Sequence, residues 1–138
     1  MTGETTVRKA ETVLIAGSDD VVRVRQRVRA LAIEVGFSLV DQTKVVTAAS
    51  ELGRNTLEHG LGGSADLLIV ENGIKRGISM VFRDHGPGIP DISLAMTDGY
   101  TSAKGMGLGL SGSKRLMNDF EIRSEVGSGT TVRVARWK

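Results

Sequence analysis

Apolar residues recur along this chain with two periods, and the switches between them mark its elements. Residues 12–16, Thr-Val-Leu-Ile-Ala, form a short apolar run closed by Gly17, which predicts a first strand. Residues 1 to about 10 are polar and are expected to fray. Val21, Val24, Val28, Leu31, Ala32 and Val35 then recur at helical spacing. Ser18, Asp19 and Asp20 offer capping side chains ahead of that stripe, and Gly36 ends it. A second helix is predicted from Ser38 or Asp41 to about His59, on the stripe Val45, Ala48, Ala49 and Leu52. Gly60-Leu61-Gly62-Gly63 stops it. Residues 65–70 read as a strand, Asn72-Gly73 as a turn, and residues 78–82 as the hairpin partner.

The second half is richer in glycine. Residues 89–104 have weak periodicity and are long for a connection in a small domain, which predicts a mobile lid. Residues 111–118 read as a helix behind Gly105-Met106-Gly107-Leu108-Gly109-Leu110. Phe120, Ile122, Ser124 and Val126 alternate with Asp119, Glu121, Arg123 and Glu125, the pattern of a half-buried strand. Gly127-Ser128-Gly129 turns the chain into a closing strand over residues 130–137. The fold class that follows is α/β (α+β): a single domain over residues 1–138 built as a two-layer sandwich. Its mixed, mostly antiparallel sheet is covered on one face by three helices.

Composition narrows the chemistry. The chain has 138 residues and 40% hydrophobic content, enough for one real core. Lys+Arg number 18 against 16 Asp+Glu, a net charge of +2, and aromatics are 4%. Neither balance suits nucleic-acid binding. There is no cysteine, which removes disulfides, thiolate zinc sites and thiol catalysis. Met1-Thr2-Gly3-Glu4 lacks a signal-peptide pattern, and no apolar run approaches the ~20 residues of a membrane span. The expectation is a cytoplasmic protein with no membrane partner. Arginines 23, 25, 27 and 29 fall into two helical pairs and read as a solvated face, with partner docking the sharper alternative.

Three stretches carry candidate chemistry. The strand at 78–82 delivers Asp84 into Asp84-His85-Gly86-Pro87-Gly88. An ionised carboxylate only accepts hydrogen bonds, and the glycines let backbone come close to a ligand. Held there, Asp84 suits a donor such as the exocyclic amine of adenine. On the second helix, Glu51 and Asn55 are four residues apart and share a face at the border of the apolar stripe. Such oxygens suit Mg²⁺, which needs few protein ligands when phosphates share it; the carboxylate could instead take a proton from a nucleophile. An exposed, merely solubilising pair is the bland alternative. Gly105, Gly107 and Gly109 open a helix, and freed amides at a helix N-terminus favour phosphate. No Gly-Lys-Ser/Thr follows, so this is not a Walker A loop.

The order Glu-x-x-x-Asn on a helix, Asp-x-Gly-x-Gly after a strand and Gly-x-Gly-x-Gly before a helix resembles the GHKL (Bergerat-fold) ATPases. The resemblance spans about residues 13–138. It implies ATP and Mg²⁺ as cofactors, with Asn55 holding the metal and Asp84 binding the adenine amine. It implies an ATP site built from Asn55, Asp84, Gly86, Gly88, Gly105, Gly107, Gly109, Leu110 and Thr130, with Glu51 as the catalytic residue. Within the family, His59 and His85 both lie inside the ATPase motifs, which argues against a phosphoacceptor histidine. The remaining likeness is to the small bacterial protein-serine kinases. Residues 84–91, 98–102 and 114–117 and the Trp137-Lys138 ending look most like the RsbT-like group. That implies phosphorylation of serine or threonine on a STAS-domain partner and then activation of a PP2C-type phosphatase. Two alternatives follow: an RsbW-like kinase that also sequesters a sigma factor, and an ATP-dependent binding module without catalysis.

Overall fold

A computed structural model of the chain describes residues 5–97 and 109–138. Five strands form one sheet: β1 (Thr6–Ile15), β2 (Gly63–Asn72), β3 (Lys75–Asp84), β4 (Asp119–Glu125) and β5 (Gly129–Trp137). Their order is β1-β2-β3-β5-β4. Every pairing among them is antiparallel, in keeping with the mostly antiparallel sheet expected, and no parallel pair occurs among the described strands. The long helices are α1 (Ser18–Val35) and α2 (Leu39–Glu58); α3 (Ile92–Ala95) is a single turn and α4 (Gly109–Leu116) is short. The three predicted helices are α1, α2 and α4, and α3 is additional.

Antiparallel register puts Val13, Ala65, Phe82 and Val132 in one row across the sheet. Leu67, Met80 and Val134 make the next row. These side chains are buried and share a single core with Val24, Val28 and Leu31 of α1 and Val45, Ala49 and Leu52 of α2. Each fully buried side chain of this size contributes about 1.5–3 kcal/mol. The opposite face of the sheet is mixed, with Leu14, Val70 and Val81 among polar side chains. Thr12 donates to Asp66 at 2.8 Å, and Asp66 also pairs with Arg83. Helices therefore sit on one face, and the inward-facing ends of the strands are left to build a site.

Local chemistry sets the helix ends. Asp20 accepts the Ala16 and Gly17 amides at 2.8 and 3.1 Å, capping α1 from its first turn. Gly36 closes α1 with φ 93°, a left-handed backbone that suits glycine. Ser38 caps α2 by accepting the Asp41 amide at 3.1 Å. Asp41 in turn receives Arg136 of β5 at 2.8 Å, and Arg136 also donates to the Leu116 carbonyl at 3.0 Å. One guanidinium thus ties the start of α2 and the end of α4 to the sheet.

Three expectations change. Residues from Thr6 do not fray: they form the first half of β1, paired with β2 through a bulge between Val7 and Lys9. Ladder hydrogen bonds need no apolar side chain, and polar partners fix this edge strand. Arg8 pairs with Glu71, Lys9 with Glu34, and Glu11 with Arg27. Helix α4 stops at Leu116, before the predicted Asn118. The Asn118 side chain instead accepts the Trp137 amide at 2.7 Å, which pulls it onto β5. The third concerns the arginines of α1 only in detail: Arg23, Arg25 and Arg29 are exposed as a solvated face would be, while Arg23 also binds Asp20 and the half-buried Arg27 makes two bonds to Glu11.

Candidate functional site

The site forms beneath α2, where β3 ends and β5 begins. Ile78, Met80 and Phe82 point into the core, so the period of two brings Asp84 to the same side at the strand's end. Two backbone amides converge on one of its oxygens. Asp84 Oδ1 accepts Gly86 N–H at 2.9 Å and Thr130 N–H at 3.1 Å. Among the described residues Oδ2 accepts no further bond, which leaves it available to a donor from outside.

Glycine makes room for that carboxylate. A Cβ at Gly60 would overlap the Asp84 side chain, and one at Gly129 would overlap the Asp84 carbonyl. Gly60 was read from sequence only as a helix stop. Its requirement comes from a residue 24 positions away, which no local pattern reveals. Thr130 and Ser124 share a hydrogen bond at 2.7 Å, and Ser124 Oγ accepts the Ile89 amide at 2.7 Å. Ser124 is thus a second site residue that sequence reading passed over. Its signal was a hydroxyl at the inward phase of an otherwise apolar alternation.

A cavity of about 250 Å³ opens beside Asp84. Leu52, Phe82, Val132 and Leu110 give it apolar walls; Asn55, Asp84 and Thr130 bring polar atoms. Gly88 and Gly109 also line it, and Gly86 adjoins it through its bond to Asp84. The structure therefore brings Asn55, Asp84, Gly86, Gly88, Gly109, Leu110 and Thr130 together. Gly105 and Gly107 lie outside the described residues, as do residues 98–104 of the predicted lid. The earlier part of that segment is anchored by the Ile89 bond and by Asp91, which caps α3 through the Leu94 amide at 2.9 Å. His59 lines the cavity, and His85 is exposed.

Glu51 does not itself line this cavity; it adjoins it through Gly109, and at 6% exposure it is no solubilising surface residue. Its Oε1 accepts Arg54 at 2.9 Å, and its Oε2 accepts the backbone N–H of Gly109 at 3.2 Å. Gly109 has φ 70° and begins α4. A carboxylate on α2 thus meets the first amide of the helix that follows the glycine run. Asn55 is half-buried on the same face of α2 and directs its side chain toward the cavity. Among the described residues, no three His, Cys, Asp or Glu side chains cluster as a metal cage.

The profile of the histidine kinase-like ATPase domain matches residues 15–136, nearly the whole chain. The chain belongs to that family. Within it, the chain is 42% identical to the serine/threonine-protein kinase RsbT of Bacillus subtilis over 118 residues, covering 86% of this chain and 89% of RsbT. It is 31% identical to an anti-sigma F factor of Clostridium kluyveri over 110 residues, covering 77% and 78% of the two chains. A crystal structure of the RsbU and RsbW domains of a Mycobacterium tuberculosis protein aligns with TM-score 0.62 at 21% identity. That match covers 94% of this chain and 33% of the longer one, and it speaks for the fold. Membership of this ATPase family implies that the chain uses ATP.

Proposed function

We propose that this protein is an ATP-dependent serine/threonine protein kinase of the RsbT kind, acting in a partner-switching pathway. The observation that carries the reading is the Asp84 carboxylate, fixed by two backbone amides with one oxygen left over, inside a cavity walled by the family's motif residues. Fixed in this way, the free oxygen would accept the adenine amine, and Thr130 with Ser124 would hold the pocket's far wall. Gly86 and Gly88 would let backbone approach the base. Gly105, Gly107 and Gly109, with Leu110, would receive the phosphates at the start of α4.

The donor set suits Mg²⁺. A single amide oxygen, from Asn55, with nucleotide phosphates and waters is the kind of shell this ion accepts, and its charge would offset that of the phosphates. Glu51 would act as the base. The substrate hydroxyl oxygen bonds to the γ-phosphorus, the bond from that phosphorus to the β–γ bridging oxygen breaks, ADP leaves, and the hydroxyl proton passes to the Glu51 carboxylate.

The acceptor we infer is a serine or threonine on a STAS-domain protein, and the kinase, once released, would activate a PP2C-type phosphatase in the cytoplasm. Among the described residues no helix is long and apolar enough to cross a membrane. The anti-sigma F relatives support a second reading, direct sequestration of a sigma factor; the higher identity to RsbT favours the first. Mass spectrometry of co-purified proteins before and after adding Mg-ATP separates them. The expected result is a STAS-domain protein held without ATP and released as a phosphoprotein with it. A sigma factor in the eluate would favour the second reading. A STAS-domain protein that is retained and never phosphorylated would point to a non-catalytic binding module.

A further inference from the structure

We propose that Arg54 is a positioning residue for phosphoryl transfer, acting through Glu51. The proposal rests on the kinase reading above, with Glu51 as base. A Glu–Arg pair three residues apart on an exposed helix face would contribute only a few tenths of a kcal/mol and call for no functional account. This pair differs because its acid is buried. The Glu51 side chain is 8% exposed while that of Arg54 is 38% exposed. A carboxylate withdrawn from water needs partners, and Glu51 has two, one for each oxygen.

The two partners differ in permanence. Gly109 N–H opens α4, the amide that an incoming phosphate would compete for. When a phosphate takes it, Oε2 is freed to face the substrate hydroxyl. Arg54 on Oε1 is then what keeps the carboxylate aimed. Neither residue lines the cavity among the described residues: Glu51 reaches it through the Gly109 amide, and Arg54 reaches it one step further out, through Glu51. It sits on the same helix, so its hold does not depend on how α4 moves. In the transfer step the hydroxyl proton goes to Oε2, the hydroxyl oxygen joins the γ-phosphorus and ADP departs; Arg54 neither gains nor loses a proton.

The test compares Arg54→Met, Arg54→Lys and Glu51→Ala in the full chain. Methionine keeps the packing of the aliphatic stem and removes every donor. Turnover of γ-labelled ATP is counted as phosphoprotein plus released phosphate, and ADP affinity is measured by calorimetry. Arg54→Met should lower kcat about tenfold or more while leaving the KM for ATP and the ADP affinity within about twofold, as expected for loss of an interaction used in the transition state. Arg54→Lys should recover most of kcat. Adding Arg54→Met to Glu51→Ala should cost nothing further, because the two act as a unit.

Should Arg54→Met melt at a lower temperature than wild type, Arg54→Gln, which keeps a neutral donor, takes its place with the same expectations. Turnover by Arg54→Met at or above the wild-type kcat would overturn the proposal, as would a full additive loss in the Glu51→Ala background. A raised KM with weakened ADP binding would also overturn it, since Arg54 would then be a nucleotide contact. Wild-type turnover by Glu51→Ala alone would remove the base assignment, and the proposal with it. A dead Glu51→Ala beside a fully active Arg54→Met would sink only the claim about Arg54.

Discussion

The two sides of the cavity are built in different ways. On the sheet side, Asp84 is gripped by backbone: two amides hold one oxygen, and Gly60 and Gly129 press against its atoms. On the helix side, Glu51 is held by one long side chain and one amide at the start of α4. Backbone donors fixed in a sheet and its turn have little freedom to lose when ligand arrives, so the sheet side is pre-organised for binding. The helix side joins two elements through a bond that a phosphate can replace. On the proposed function, recognition falls to the sheet side and phosphoryl transfer to the helix side.

The largest effect should come from breaking the helix side. Glu51→Ala should cut phosphoryl transfer about 10²–10⁴-fold, the usual contribution of a positioned base, and leave ADP affinity in place. Calorimetry beside a labelled-ATP assay checks both halves. On the sheet side, Asp84→Asn replaces an acceptor oxygen with a donor amide. A hydrogen bond to a charged partner is worth about 1.5–3 kcal/mol, so nucleotide affinity should fall roughly tenfold or more while the fold survives. Gly60→Ala sharpens the same point without touching a polar group. Its methyl would displace the Asp84 carboxylate, and ADP affinity should fall at least as far as in Asp84→Asn, with unchanged circular dichroism.

Much of this architecture was legible in the sequence. Val24, Val28 and Leu31 announce α1, Asn72-Gly73 announces the hairpin, and Phe120–Ile122 alternation announces β4, because each is a repeat within a few residues. The first half of β1 was not legible, since Arg8, Lys9 and Glu11 are held by partners 16 to 63 residues away and by backbone bonds. The motif residues Asn55, Asp84 and Thr130 were visible as a set. Gly60, Ser124 and the Glu51–Arg54 pairing were not, because steric room and hydrogen-bond direction depend on chain neighbours that only the fold supplies.

A smaller effect is expected away from the cavity, where Arg136 joins Asp41 to Leu116. Arg136→Met should lower stability by about 0.5–1.5 kcal/mol, as two half-buried acceptors lose their donor, without changing ADP affinity. Acid should act on the same contact. The hydrogen bond from Arg136 holds the Asp41 carboxyl below its usual range. A depressed carboxyl contributes stability that is complete above its unfolded pKa, about 3.9, and that fades as pH falls through the folded value. Acid titration of the melting temperature should therefore be flatter below about pH 4 in Arg136→Met than in wild type. Identical acid limbs would leave Asp41 without a role in that loss.

The division of labour across the cavity is tested most directly by measuring ADP affinity and turnover at saturating ATP in both Asp84→Asn and Glu51→Ala. The account predicts a crossed result: Asp84→Asn binds ADP weakly and still turns over once saturated, while Glu51→Ala binds ADP as wild type does and scarcely turns over. If both variants lose affinity and turnover together, or if Asp84→Asn binds ADP as tightly as wild type, the assignment of recognition to the sheet wall and chemistry to the helix wall is contradicted.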